Sequence, residues 1–259
     1  MHRFFIAPEL LKTGGSTLLT LPEKLSHQVK DVLHLAIGEQ MILLDNSGNE
    51  VLCSLVKSGR SGVEVELLER RGGKSEPPIR IILCQGLLKS ARFEWILEKG
   101  TELGVAVFSP ILCRRSMSGL EDAGANKIQR WQRIMQEATE QCGRARMPEL
   151  LPIHSLAHAL AHIPPGALAL IPWEEEQGLS LRSALRTSIA ERKEATNSDP
   201  LTVVLFIGPE GGLLLEEVEQ ARSYGVQPVT LGPRILRAET AALATVANVM
   251  YELAGDTGL

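Results

Sequence analysis

No stretch of this chain approaches the ~18 uninterrupted apolar residues of a membrane-spanning helix, so a membrane span is excluded. Cysteine is scarce. Cys53, Cys84, Cys113 and Cys142 lie far apart without a C-x-x-C pair, which argues for buried thiols in a reducing compartment rather than a zinc site or a disulfide frame. Aromatic residues make up only 4%, too few for the stacking platforms that carry single-stranded nucleic acid. Basic residues are not in excess either: 27 Lys and Arg face 31 Asp and Glu, and a net charge of −4 advertises no global positive field. The glycine loops do not spell G-x-G-x-x-G or G-x-x-x-x-G-K-[ST], which disfavours a Rossmann dinucleotide site and a P-loop. Met1 to Ile6 has neither the apolar run nor the small-residue cleavage site of a secretory signal, and a cytoplasmic location is expected.

What remains is an ordinary globular composition. The chain has 259 residues, 44% of them hydrophobic, with a mean hydropathy of +0.03, enough for a substantial core and for one to two domains. The clearest break is Arg71-Gly72-Gly73-Lys74-Ser75-Glu76-Pro77-Pro78, whose glycine and proline pairs read as a linker. Before it, Gln40 to Leu44 and Val51 to Val56 flank a turn at 45–49, and Gly62 to Leu67 alternates with period two. With one helix over Glu23 to Leu33, residues 1–72 are expected to form a small β-barrel domain. After the break, strands at 79–83, 105–112, 167–171, 201–207 and 226–231 alternate with helices at 92–103, 126–142 and 238–253. That alternation predicts an α/β domain over 73–259 with a mostly parallel sheet covered by helices. No internal repeat is present, and 195–199 read as a loop.

Two loops stand out. Leu201 to Ile207 reads as a buried strand that runs into Gly208-Pro209-Glu210-Gly211-Gly212 and then into a helix. Ligands of open α/β sheets bind at the carboxyl ends of strands, and glycines there let backbone groups come close to a ligand. One glycine would satisfy a tight turn; three glycines and a proline point to a ligand loop. One strand later, Leu231-Gly232-Pro233-Arg234-Ile235-Leu236-Arg237 repeats the pattern with two arginines suited to a phosphate or a nucleobase edge. Glu239 reads equally as a local ion-pair partner of Arg237, and Thr240 as a helix-start hydroxyl. The two loops predict one shared cleft.

Charge is uneven along the chain. Residues 85–146 hold ten Lys/Arg against seven Asp/Glu, whereas 147–259 hold seven against fourteen. Solvated helix faces with local pairs account for much of the basic segment. His154, His158 and His162 fall at i, i+4 and i+8, which reads as a polar helix face; no metal site is expected.

The pair GPEGG (208–212) and LGPRILRAET (231–240), together with KSARFEWILEKGTELG (89–104) and EQCGR (140–144), resembles the bacterial 16S ribosomal RNA uridine N3-methyltransferases of the SPOUT class. The resemblance runs nearly end to end. Arg3-Phe4-Phe5 and His27 to Leu44 are similar to that family's PUA-like RNA-binding barrel. It implies a carboxyl-terminal parallel sheet with a trefoil knot and a homodimer whose cleft lies near the subunit interface. It implies S-adenosylmethionine as methyl donor, held by Ile171, Pro172 and Trp173, by Ile207, Gly208, Gly211 and Gly212, and by Leu231, Gly232 and Leu236. Thr240 and Ala241 would close the pocket. Ala238 stands where the family usually has threonine, and His34 where arginine is common.

The substrate implied is 16S ribosomal RNA in the small ribosomal subunit. Arg237 would stabilise the uracil anion, and Glu210 or Glu239 would serve as the base. Arg3, Lys89, Arg92, Arg114, Arg115, Arg144 and Arg146 would meet RNA phosphates. The alternatives are a SPOUT methyltransferase acting on another RNA position such as a ribose 2′-OH, and a non-catalytic RNA-binding assembly factor.

Overall fold

The computed structural model describes residues 1–11, 17–59, 62–117, 119, 124–194 and 200–253. The loop expected at 195–199 lies outside them. Among the described residues no helix is long and apolar enough to cross a membrane. The chain divides into two compact units, Met1–Glu76 with Gln136–Met147, and Pro77–Met135 with Pro148–Leu259. The break expected at residue 72 thus falls at 76, and residues 136–147 join the first unit.

In the first unit, β1 (His2–Phe5), β2 (Leu18–Thr20), β3 (Gln40–Leu44), β4 (Asn49–Gly59) and β5 (Gly62–Gly72) form one sheet in the order β1-β3-β4-β5-β2. Period-two alternation places Val51, Cys53 and Leu55 of β4 and Val63 and Val65 of β5 in a core with Phe4, Met41 and Leu43. The β3–β4 turn needs left-handed backbone, and Asn46 (φ 63°) and Gly48 (φ 92°) supply it. The helix expected over Glu23 to Leu33 is present with a change of pitch: α1 (Glu23–His27) passes into a wider π-type turn over Gln28–Val32, capped by Leu33, and His34 at φ 52° ends it. Residues 136–147 are tied here by two carboxylates. Glu140 accepts the Phe5 N–H at 3.0 Å, and Glu76 accepts the backbone N–H groups of Ala145 and Arg146 at 3.1 and 2.9 Å. Glu76 also pairs with Arg144, whose guanidinium nitrogen lies 3.0 Å away. These long-range bonds have no local signature, which is why composition alone assigns the segment to the second domain.

In the second unit, β6 (Arg80–Gly86), α2 (Ser90–Glu102), β7 (Val105–Leu112) and α3 (Ala125–Cys142) come first. They are followed by β8 (Glu149–Leu150), β9 (His154–Ser155), α4 (Leu156–Ala161) and β10 (Leu168–Pro172). The chain ends with α5 (Leu181–Glu194), β11 (Thr202–Ile207), α6 (Leu215–Ser223), β12 (Gln227–Val229) and α7 (Ala238–Leu253). All sheet pairings are parallel, in the order β12-β10-β11-β6-β7-β8, with β9 also on β7. Strand β11 shows why the sheet is covered twice. Val203, Leu205 and Ile207 face a core with α2, α5 and α7, whereas Val204 and Phe206 face a second core with α4 and α6. On α3 the apolar stripe buries Trp131 and Met135, and Trp131 packs on Phe93 of α2 with ring centroids 4.5 Å apart. On α7, Ala242, Val246 and Val249 are wholly buried, as the helical spacing predicts.

Candidate functional site

The sheet order brings the carboxyl ends of β12, β10 and β11 side by side, and each continues into a loop. Pro172 to Gln177 follow β10, Gly208 to Leu213 follow β11, and Thr230 to Ala238 follow β12; together they wall a cavity of about 800 Å³. That volume suits a nucleoside-sized ligand.

Each loop is pinned by bonds that leave its backbone close-packed. The Trp173 N–H donates to Val229 O at 3.0 Å, joining the first loop to β12. The Gln85 amide, buried at the end of β6, donates to Gly208 O at 3.3 Å and to Gly86 O at 2.9 Å. Gly86 lies so near the second loop that an added Cβ would stand 2.5 Å from Pro209 N and 2.8 Å from Gly208 C. Gly212 adopts φ 74°, the left-handed conformation that glycine takes without penalty. Arg115 donates to Gly211 O at 3.0 Å. The Arg92 guanidinium donates to Glu210 at 2.7 Å and lies 3.8 Å from Glu239. Buried Glu217 accepts the Arg114 N–H at 2.8 Å and the Leu214 N–H at 2.9 Å, tying the end of β7 to the start of α6.

The wall collects most of the residues singled out in the sequence. Pro172, Trp173, Ile207, Gly208, Gly211, Gly212, Leu231, Gly232, Leu236 and Ala241 line it, as do Glu210 and Arg237. Ile171 does not; it is fully buried beneath the wall among Val204, Phe206 and their neighbours. Thr240 is exposed and stands off the wall, as does half-buried Glu239. Several wall residues were not anticipated: Glu174, Glu176, Gln177, Pro209, Thr230, Pro233 and Ile235. Gly86, at the end of a buried strand, is the missed glycine that sequence pattern points to, because glycine there marks a close backbone approach.

Two buried polar atoms near these loops have no partner among the described residues, the Trp173 indole nitrogen and Gln85 Oε1. Trp173 is only 8% exposed and lines the cavity, but its indole nitrogen is itself buried away from the cavity surface. Glu239 Oε2 is likewise buried and unpartnered. Arg237 is exposed on the rim, and among the described residues its guanidinium enters no ion pair or hydrogen bond.

The arginines read as phosphate contacts divide. Lys89, Arg114 and Arg146 are exposed. Arg92 and Arg115 are committed to the Gly208–Gly212 loop, and Arg3 pairs with buried Glu50. Arg144 is a correction: it is 4% exposed and its charge is spent on Glu76, because burying a guanidinium requires a partner.

Among the described residues no three His, Cys, Asp or Glu side chains form a metal-binding group. Burial pushes the thiols of Cys53, Cys84 and Cys113 up to about 12, whereas Cys142 is only half-buried. The three histidines do not share one helix. His154 sits on β9 before the Ser155 cap, and only His158 lies within α4. Their rings form a ladder with centroids 4.8 and 4.1 Å apart. Burial, followed by the neighbouring His158, holds His154 below the ordinary imidazole value. The unfolded chain therefore binds more protons as pH falls below about 6.5, so this stabilisation is complete above that pH and is lost as pH falls through the folded value. Between about pH 7.5 and 5.5, the Tm of the wild type should drop further than that of His154→Gln; parallel curves would remove His154 as the cause.

Residues 75–250 match the model of the RNA methyltransferase domain family. The chain is 30% identical to ribosomal RNA small subunit methyltransferase E of Bacillus subtilis, over 99% of this chain and 100% of that protein. It is 32% identical to the Synechocystis protein of the same name, over 96% of this chain and 77% of the other. Among solved structures, ribosomal RNA small subunit methyltransferase E from Neisseria gonorrhoeae bound to S-adenosyl methionine superposes with a TM-score of 0.81 at 30% identity, covering 96% and 97% of the two chains. A Legionella pneumophila structure in complex with the bound cofactor SAM gives 0.77 at 27% identity, covering 96% and 97%.

Proposed function

The chain belongs to the RNA methyltransferase family, and from that premise we propose that it transfers the methyl group of S-adenosylmethionine to uracil N3 in 16S ribosomal RNA. The observation that carries this reading is the convergence of three strand-end loops on one cavity, with an arginine on its rim that is unpaired among the described residues. Relatives at about 30% identity over the full length are named for the small ribosomal subunit, and two neighbours hold the methyl donor, which supports both substrate and cofactor.

The cavity residues fit that donor. Bound there, S-adenosylmethionine supplies an activated methyl group. Gly208, Gly211 and Gly212, having no Cβ, let the loop backbone come close to it, and Trp173 walls it on the β10 side. Uracil N3 carries a proton at neutral pH, so the protein must favour its loss. Arg237 places a fixed positive charge where the uracil anion develops, and this electrostatic preorganisation is the main catalytic contribution. Glu210, on the wall, accepts the proton, while Arg92 holds one of its oxygens in place. Glu239, off the wall, braces Arg92 from the other side.

The five-stranded unit is read as a PUA-like barrel that grips RNA, and the second unit as a trefoil-knotted SPOUT domain that works as a homodimer in the cytoplasm. Lys89, Arg114 and Arg146, being exposed, are the proposed phosphate contacts.

The test is mass spectrometry of nucleosides from unmodified small ribosomal subunits incubated with the protein and S-adenosylmethionine. N3-methyluridine should appear only when both are present. A ribose-methylated product would move the reaction to a 2′-OH. No product and no cofactor-dependent rise in Tm would leave a non-catalytic RNA-binding factor.

A further inference from the structure

One apolar side chain of the cavity wall takes no part in the core. Ile235 is 85% exposed, more than any other large apolar residue among those described. This exposure is not general to its loop, because Leu231 and Leu236 on either side are half-buried. The loop is also held at both ends. Thr230 N–H donates to Leu179 O at 2.8 Å, the Thr230 hydroxyl accepts the Gly232 N–H at 3.1 Å, and Arg237 O accepts the Ala241 N–H at 2.8 Å. Pro233 fixes a further backbone angle. An aliphatic side chain is thus presented to water on a restrained backbone, at the mouth of the cavity. It is flanked by Arg234 and Arg237, both exposed, and among the described residues neither guanidinium enters an ion pair or hydrogen bond. Arg92, Arg115 and Arg144, by contrast, are all engaged within the protein.

The chemistry of the target explains such a constellation. N3 of uracil lies on the Watson–Crick edge, so a paired and stacked uridine hides the atom to be methylated, and the nucleotide must be held outside its stack. An aliphatic wedge that fills the vacated space, with arginine on a flanking phosphate, does this. The geometry points to Ile235 as that wedge and Arg234 as its phosphate anchor, holding an RNA strand with its uridine extruded toward Arg237 and the cavity. This rests on the cavity being the methyl-donor site of an RNA methyltransferase. The competing occupant of Ile235 is a second copy of the chain.

The experiment compares wild type with Ile235→Ala, Ile235→Leu and Arg234→Gln on unmodified small ribosomal subunits. S-adenosylhomocysteine affinity is followed by calorimetry and mass by light scattering. Ile235→Ala should bind S-adenosylhomocysteine within about twofold of wild type and keep its mass, yet methylate at least ~10-fold more slowly at saturating RNA, with Ile235→Leu restoring the rate. Arg234→Gln should raise KM for RNA with kcat unchanged, and should reduce the slope of log affinity against log salt by about one. A wild-type rate in Ile235→Ala overturns the wedge. A lowered mass assigns Ile235 to the contact between copies, and weakened S-adenosylhomocysteine binding assigns it to the cofactor wall; either outcome also overturns the proposal. If the wild type binds neither S-adenosylhomocysteine nor S-adenosylmethionine, the donor-site reading fails first and the wedge falls with it.

Discussion

Arg237→Ala should lower the methylation rate by ~100- to 1000-fold while leaving cofactor affinity nearly intact, the size of loss seen when one preorganised oxyanion donor is removed. The expectation rests on where the side chain stands. Arg237 lines the cavity, is exposed on its rim, and among the described residues has no carboxylate that already neutralises it. A guanidinium in that position costs nothing to reorganise when negative charge grows on the uracil oxygens. The proposed donor pocket is also walled by Pro172, Trp173, Ile207, Leu231 and the Gly208–Gly212 backbone, which the substitution does not touch. Arg237→Lys should recover only part of the rate, because a point charge lacks the planar fork that spans two acceptors. Single-turnover rates with calorimetry on the same samples separate the effects. A loss of cofactor binding that matches the loss of rate would reassign Arg237 to the pocket.

The second large effect is expected from a residue far from any reacting atom. Gly86→Ala should weaken cofactor binding at least ~10-fold and destabilise the protein by about 1–3 kcal/mol, as overpacking against an unyielding neighbour does. The added methyl group would stand 2.5 Å from Pro209 N, 2.8 Å from Gly208 C and 2.9 Å from Pro209 Cδ. These are backbone and ring atoms of the Gly208–Gly212 loop, so no flexible side chain can swing away. Either the loop shifts into the cavity or β6 shifts in the sheet. Gly59→Ala is the control, because its added methyl group would meet nothing within 4 Å. Cofactor titration and thermal unfolding of the two variants should differ in both readouts. An affinity in Gly86→Ala equal to that of the control would show that the loop accommodates the methyl group and that the close approach is not essential.

The regular elements were legible because their causes are local. Strand β7 and helix α7 fall where the apolar run and the helical spacing place them, and Gly143, just past α3, adopts φ 85°. The convergence of the two Gly-Pro loops on one cavity was legible because both follow strands of a parallel sheet at its carboxyl edge. The change of pitch to a π turn over Gln28–Val32 was not legible, because the apolar residues Leu25, Val29 and Leu33 keep helical spacing through it. Strands β8 and β9, of two residues each, carry no periodicity to detect and exist only because β7 offers them a partner edge.

The sequence by itself determined the strand and helix alternation, a break within residues 71–78, the shared cavity of the two Gly-Pro loops and the family resemblance, since each depends on residue types at fixed spacing along the chain. Only the tertiary structure decided the rest. It placed β10 between β11 and β12, so that Pro172 and Trp173 meet both Gly-Pro loops. It spent Arg144 on Glu76 and Arg92 on Glu210, and left Arg234 and Arg237 unspent among the described residues. It brought Gly86 against Pro209, which lies 123 residues later in the chain. Charge pairing and close approach are properties of distance in space, and a basic residue in a sequence carries no mark of the carboxylate that folding will set beside it.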